Sequence, residues 1–307
     1  MVFCFCSSNN CYPYSYKPLF HLIYCLREEK PIYNKQLKNF DIWFAGIIYF
    51  VIIPLILTIV FLLSDSLKDL LSLYPSNPTF LSILGSNYLH TTFPHFISNL
   101  IFYLVAMTFI FVFDKLTNRK MLFVNLLLLF IILPIVSSLL NIVILSDFAT
   151  NMSHKGFSAI VAGVFGYLTY STLHFITNYY EVKFEKGILQ LMWLILYVNL
   201  AIISLVYGYY LIILLVSVLI LLSIFNTKKD IKKIITLLRK LKRPARVAVF
   251  TSLYLCLCVG MVGLFPGSLQ NSGNLVNILA HYVGYIFGFM VPALISIYIF
   301  DKRKLVF

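Results

Sequence analysis

Acidic residues are scarce in this chain. Its 307 residues include only 11 Asp and Glu, and charged side chains of both signs make up 11% of the total. A soluble domain of this size wears a surface that is roughly a quarter charged or more, so a water-facing globule is excluded. Disorder is excluded as well, because disordered chains are poor in apolar residues and this one is 61% hydrophobic with a mean hydropathy of +0.91. Cysteine is thin too. Of six cysteines, Cys4, Cys6, Cys11 and Cys25 sit in the first 42 residues and Cys256 and Cys258 in an apolar run. That pattern fits neither a disulfide scaffold nor a zinc template. The His-Glu-x-x-His of zinc proteases is missing, so no metal is expected. Every acid falls in a loop or at the end of an apolar run, with Asp114 nearest to one, so no carboxylate is expected at bilayer depth. This excludes a two-aspartate intramembrane protease and argues against a proton-coupled transporter built on buried acids.

Long apolar runs are what the chain does have. A helix needs about 20 apolar residues to cross the hydrocarbon of a bilayer. Eight runs qualify: Trp43 to Leu63, Phe93 to Phe113, Met121 to Leu145, Phe157 to Thr177, Ile188 to Tyr207, Tyr209 to Phe225, Val247 to Phe265 and Val276 to Phe300. Ile188 to Phe225 is too long for one span and breaks naturally at Gly208. The expected class is an all-α polytopic membrane protein with about eight transmembrane helices.

Basic residues test the parity of that count, because Lys and Arg near span ends stay in the cytoplasm. With a cytoplasmic amino terminus, 22 of the 24 Lys and Arg fall inside, leaving Lys68 and Lys155 outside. Fusing Ile188 to Phe225 into one span would throw the nine-residue cluster between Lys228 and Arg246 to the outside. The net charge of +13 is therefore an orientation signal and a contact with anionic lipid, and no nucleic-acid partner is expected. Within the cluster, Ile231, Ile234, Ile235, Leu238 and Leu241 recur at helical spacing, which predicts an amphipathic helix lying on the inner surface. The amino terminus has no secretory signal pattern, so the first span serves as the insertion signal. The expected protein is a multi-pass one, with the cell membrane as the expected location, both termini cytoplasmic, and oligomeric state open. The chain divides into a cysteine-containing tail (1–42), four spans (43–177), further spans with the basic segment (178–246), and the final spans with a short basic tail (247–307).

Polar residues inside spans are costly and mark function. Here they gather near the outer ends of three spans. In NYLHTTFPHFISNL, His95 and Asn99 are four apart and share a helix face, Pro94 fits the first helical turn, and His90 precedes it. In HKGFSAIVAGVFGY, Ser158 opens the fourth run behind Gly156, ahead of Ala159, Ala162, Gly163 and Gly166. In AHYVGYIFGF, His281, Gly284 and Gly288 fall nearly on one line, and such small faces let helix backbones approach closely. His21, His154 and His174 read as interfacial residues.

Taken together, His90-x4-His95-x3-Asn99, Gly156-x-Ser158 and Ala280-His281-x2-Gly284-x3-Gly288 resemble the rhomboid family of intramembrane serine proteases, over roughly Trp43 to Thr177 and Val247 to Phe300. Three spans rather than one separate the serine from the histidine, so the resemblance implies a six-helix core with an extra helical hairpin between them. Ala159 and Ala162 stand where the family usually has Gly and often an aromatic residue. The resemblance makes Ser158 the nucleophile and His281 the general base. It gives His95, Asn99, His90 and Gly156 to the oxyanion and substrate-binding region, and Gly284 and Gly288 to helix packing. The expected activity is hydrolysis of a peptide bond in a single-span membrane substrate without a cofactor. Two other classes stay open: a non-proteolytic rhomboid-like protein that binds membrane clients, and a multi-pass transporter.

Overall fold

The computed structural model describes residues 39–90, 92–145, 153–259, 270–271, 274–275, 278–296 and 298. The four tail cysteines and His21 lie outside them. Helices dominate. Helix α1 runs through Asn39–Ile47, a wider π turn at Ile48–Ile52, and Ile53–Phe61. Two short helices, α2 (Asp65–Leu71) and α3 (Phe80–Gly85), follow, then α4 (Phe93–Thr117). Helix α5 joins Arg119–Leu127, a π turn at Leu128–Ile132, and Leu133–Leu145. Next come α6 (Ser158–Tyr179), α7 (Gly187–Val206) and α8 (Tyr210–Lys240). Helix α9 combines Arg243–Tyr254 with a π turn at Leu255–Val259, and α10 spans Ile278–Ile295. A two-residue antiparallel ladder, Gln270–Asn271 with Asn274–Leu275, is the only sheet among the described residues.

Six of these helices, α1 and α4 to α8, are long and apolar enough to cross a membrane. The chain is thus a polytopic helical membrane protein. The seventh and eighth apolar runs are helical over the parts described, α9 and α10. Leu211, Leu214, Leu215, Val218, Leu221 and Leu222 of α8 are all exposed on the outside of the bundle. So large an apolar face suits lipid rather than water.

Both π turns in α1 and α5 precede a proline, Pro54 and Pro134. A proline ring has no N–H and crowds the preceding turn, so the helix widens and a carbonyl loses its partner. Tyrosines supply the replacement donors. The Tyr103 hydroxyl donates to the Tyr49 carbonyl at 2.8 Å, and the Tyr88 hydroxyl donates to that of Phe130.

Helix α6 is the axis of the molecule, buried without interruption from Ala159 to Ile176. It packs most closely on α10, the two running parallel. A Cβ built on Gly284 would meet the Ala159 carbonyl oxygen at 2.0 Å, and one on Gly288 would meet that of Gly163 at 1.8 Å. On the other strip of the seam, a Cβ on Gly166 would meet the Tyr285 carbonyl oxygen at 2.2 Å. Backbone touches backbone there, which only glycine permits.

Gly208, at φ +72°, turns the chain between α7 and α8. The basic stretch that follows corrects one expectation. It forms no separate helix on the inner surface but continues α8 without a break to Lys240. Its apolar face is covered by protein rather than lipid: Ile231 and Ile234 pack on the main core, Leu238 on a second cluster that includes buried Leu241, and only Ile235 is exposed. The buried Asp230 carboxylate fixes this extension by accepting the Glu185 and Lys186 N–H groups at 2.7 and 3.0 Å.

Candidate functional site

Ser158 is the first residue of α6, and its position is set by what comes just before it. Phe157 is fully buried among Tyr88, Tyr103 and Phe130. The Gly156 N–H donates to the Ser86 carbonyl at 2.9 Å, and Leu73 and His154 exchange backbone hydrogen bonds at 3.2 and 2.8 Å. The segment entering α6 is therefore tied to the loop between α1 and α4. That loop is tied in turn to α5 through Asn87, whose amide donates to Ser138 Oγ at 2.8 Å and to the Pro134 carbonyl at 3.2 Å. Gly156 has φ +151°, a conformation that side-chain-bearing residues rarely adopt. A Cβ there would lie 3.5 Å from Ser158 Oγ and 3.7 Å from His95 Nε2. Ser158 and His95 thus flank Gly156.

Asn99 gathers His90 and His95. Its amide nitrogen lies 3.1 Å from His95 Nε2 and 3.3 Å from His90 Nε2. With that nitrogen as donor, both Nε2 atoms accept, and both rings are neutral with the proton on Nδ1. Burial, with His95 beside it, pushes the His90 imidazole down to about 4. His90 is therefore neutral at pH 7.

His281 stands in the first turn of α10 and is buried. The glycine contacts pair position 284 with 159 and 288 with 163. Continued along α10, the same register pairs position 283 with Ser158 and sets His281 two residues further, about 3 Å along the helix axis at 1.5 Å rise per residue. Ser158 lies about 100° round α6 from Ala159, on the flank of the seam, and is half-buried. No side chain caps the first turn of α6, so its amino-terminal partial positive charge is directed at the region around Ser158.

The arrangement joins a serine hydroxyl at a helix amino terminus, neutral imidazoles, and an amide donor at one end of the bundle. Those are the components of acyl transfer: a nucleophile, a base, and donors for an oxyanion. Among the described residues no three His, Cys, Asp or Glu side chains come together as a metal would require. His154 contributes through its backbone bridge, and His174 lies near the other end of α6 beside Thr117, 3.3 Å away.

Asp114 lies at the end of a span, as its place after Phe113 implies, and it is also enclosed by protein: α4 continues past Phe113 to Thr117, and the Asp114 side chain is 1% exposed. A carboxylate is therefore held within the bundle. The docking of Leu73, Ser86 and Asn87 was also not foreseen, since polar residues in a loop carry no periodicity that would show where they bind.

No family model, curated protein or solved structure matches the chain.

Proposed function

We propose that this protein is a rhomboid-type intramembrane serine protease, with a six-helix core, an added hairpin among α7, α8 and α9, eight spans in all, and both termini in the cytoplasm. The observation that carries the reading is the glycine seam between α6 and α10. It supports a meeting of Ser158 and His281 at the end of the bundle that also holds His95 and Asn99.

On this reading, a single-span substrate unwinds locally and offers a carbonyl, since a helical carbonyl is already hydrogen-bonded. Ser158 Oγ attacks it and His281 takes the hydroxyl proton. The tetrahedral oxyanion is held by the Ser158 N–H, His95 and Asn99, with the amino terminus of α6 adding favourable charge. To serve, Asn99 gives up its contact with His95, whose ring proton moves from Nδ1 to Nε2 so that it can donate. His281 then passes its proton to the departing amine, and a water, activated by the same imidazole, releases the acyl group from Ser158. No carboxylate is needed to orient the base.

The test is cleavage of a labelled single-span substrate by purified protein in detergent. Wild type is expected to cleave, whereas Ser158→Ala and His281→Ala each lose at least 1000-fold, in line with the loss of one member of a unit that acts together. A fluorophosphonate should label wild type and not Ser158→Ala. Equal cleavage by all three proteins would remove the dyad. Intact substrate bound without cleavage or labelling would favour a client-binding protein.

A further inference from the structure

The inner half of the bundle holds a second polar cluster that the proteolytic reading does not use. The Asp114 carboxylate on α4 accepts from the Tyr167 hydroxyl at 2.9 Å and the Ser171 hydroxyl at 2.8 Å, both on α6. Asn125 on α5 is fully buried and close enough to the Tyr167 hydroxyl to interact with it, while its amide oxygen makes no hydrogen bond. Tyr49 of α1 is close enough to interact electrostatically with Asp114, while its hydroxyl donates to the Leu122 carbonyl on α5. Among the described residues, no Lys or Arg pairs with Asp114. His174, the nearest histidine along α6, is 3.3 Å from Thr117 Oγ1 instead.

A negative charge without a counter-charge is very costly in an apolar interior. A buried amide oxygen without a donor adds to the cost. A single positive guest between Asp114 and Asn125 relieves both. We propose that Asp114, Asn125, Tyr167 and Ser171 form a binding site for one monovalent cation, a sodium ion or a proton.

The donor set fits one unit of charge. Tyr167 and Ser171 give their hydroxyl hydrogens to the carboxylate and keep lone pairs, and Asn125 Oδ1 is an idle acceptor. A sodium ion would be held by these oxygens around one carboxylate. A proton would sit on Asp114 and be donated to Asn125 Oδ1. A divalent ion would leave excess positive charge in an apolar place, since Ca2+ and Mg2+ sites draw on more carboxylates or on retained water. Either monovalent guest ties α4, α5 and α6 together at the end opposite Ser158, and the site stands whether or not the protein is a protease.

The experiment measures thermal unfolding of the purified full chain in detergent. Sodium is titrated from 1 to 100 mM at constant ionic strength with choline, and pH is varied separately, for wild type and Asp114→Asn. A sodium site predicts a Tm rise of roughly 5 °C or more with sodium, absent in the variant. A proton site predicts a Tm that falls as pH is raised, independently of sodium, with the fall reduced in Asp114→Asn. Infrared difference spectra supply a readout that needs no folded Asp114 variant. A protonated-carboxyl C=O band is present at neutral pH for the proton, or appears only when sodium is withdrawn for the ion. Asn125→Leu should raise the midpoint sodium concentration at least tenfold, or shift the carboxyl band. A wild type indifferent to both sodium and pH and lacking that band would overturn the proposal.

Discussion

His90, outside the spans, has its chemistry strongly altered by its surroundings. Unfolded, it takes up a proton near pH 6.5; folded, only near 4. Between those values the unfolded chain binds more protons, so stability falls as pH is lowered, by up to about 1.4 kcal/mol for each pH unit. Below about 4 both states are protonated and the effect stops growing. Thermal unfolding across pH 4 to 7 should show this decline, and His90→Gln, which keeps an acceptor for Asn99, should flatten it. A variant as steep as wild type would mean that another group titrates. His95 and Asn99 were legible as a pair because helical spacing alone puts them on one face. His90 was legible only as a neighbour, since its contact with Asn99 depends on the path of the two residues before α4. The burial of Asp114 was not legible, because hydropathy marks where an apolar run stops, whereas backbone hydrogen bonding carries the helix on to Thr117 and its neighbours close around the carboxylate.

At the scale of the helix, glycines separate seam from surface. Gly288→Ala puts a methyl group against the Gly163 carbonyl, which is backbone and cannot rotate away. The helices must part, at a cost of about 1–3 kcal/mol, and any activity that needs Ser158 beside His281 should fall with it. Gly46→Ala is the contrasting case. Its new Cβ meets only the Phe111 ring, at 3.4 Å, so it is expected to be neutral or to stabilise by up to about 1 kcal/mol. Tm measurements on the two variants, with cleavage assays alongside, check both. The small-residue faces of α6 and α10 could be read from spacing, and so could the break at Gly208. The fate of the basic helix could not. Ile231, Ile234 and Leu238 suit a lipid surface and a protein surface equally well, and the choice was made by Asp230 binding the loop before α7. Asp230→Ala leaves the Glu185 and Lys186 N–H groups without their acceptor, at about 1–3 kcal/mol. Limited proteolysis of the 181–186 loop should accelerate accordingly.

For the whole molecule the decisive quantity is the number of crossings, because one crossing more or fewer reverses every loop beyond it. Asn77, in the turn between α2 and α3, and Lys240, at the end of α8, are both exposed. The five long apolar helices α4 to α8 lie between them, and an odd number of crossings puts the two positions on opposite faces. Had α7 and α8 been a single helix, the number would be even and the faces the same. The proposed orientation follows the charges: Lys68 and Lys155 flank the Asn77 side, and the nine basic residues from Lys228 to Arg246 flank the other. In a chain with its native cysteines replaced by serine, a membrane-impermeant maleimide applied to intact cells should label Asn77→Cys. It should label Lys240→Cys only after the membrane is opened. Labelling of both from the same side would refute the split at Gly208, and the reverse pattern would turn the bundle over, carrying Ser158 and His281 to the cytoplasmic leaflet.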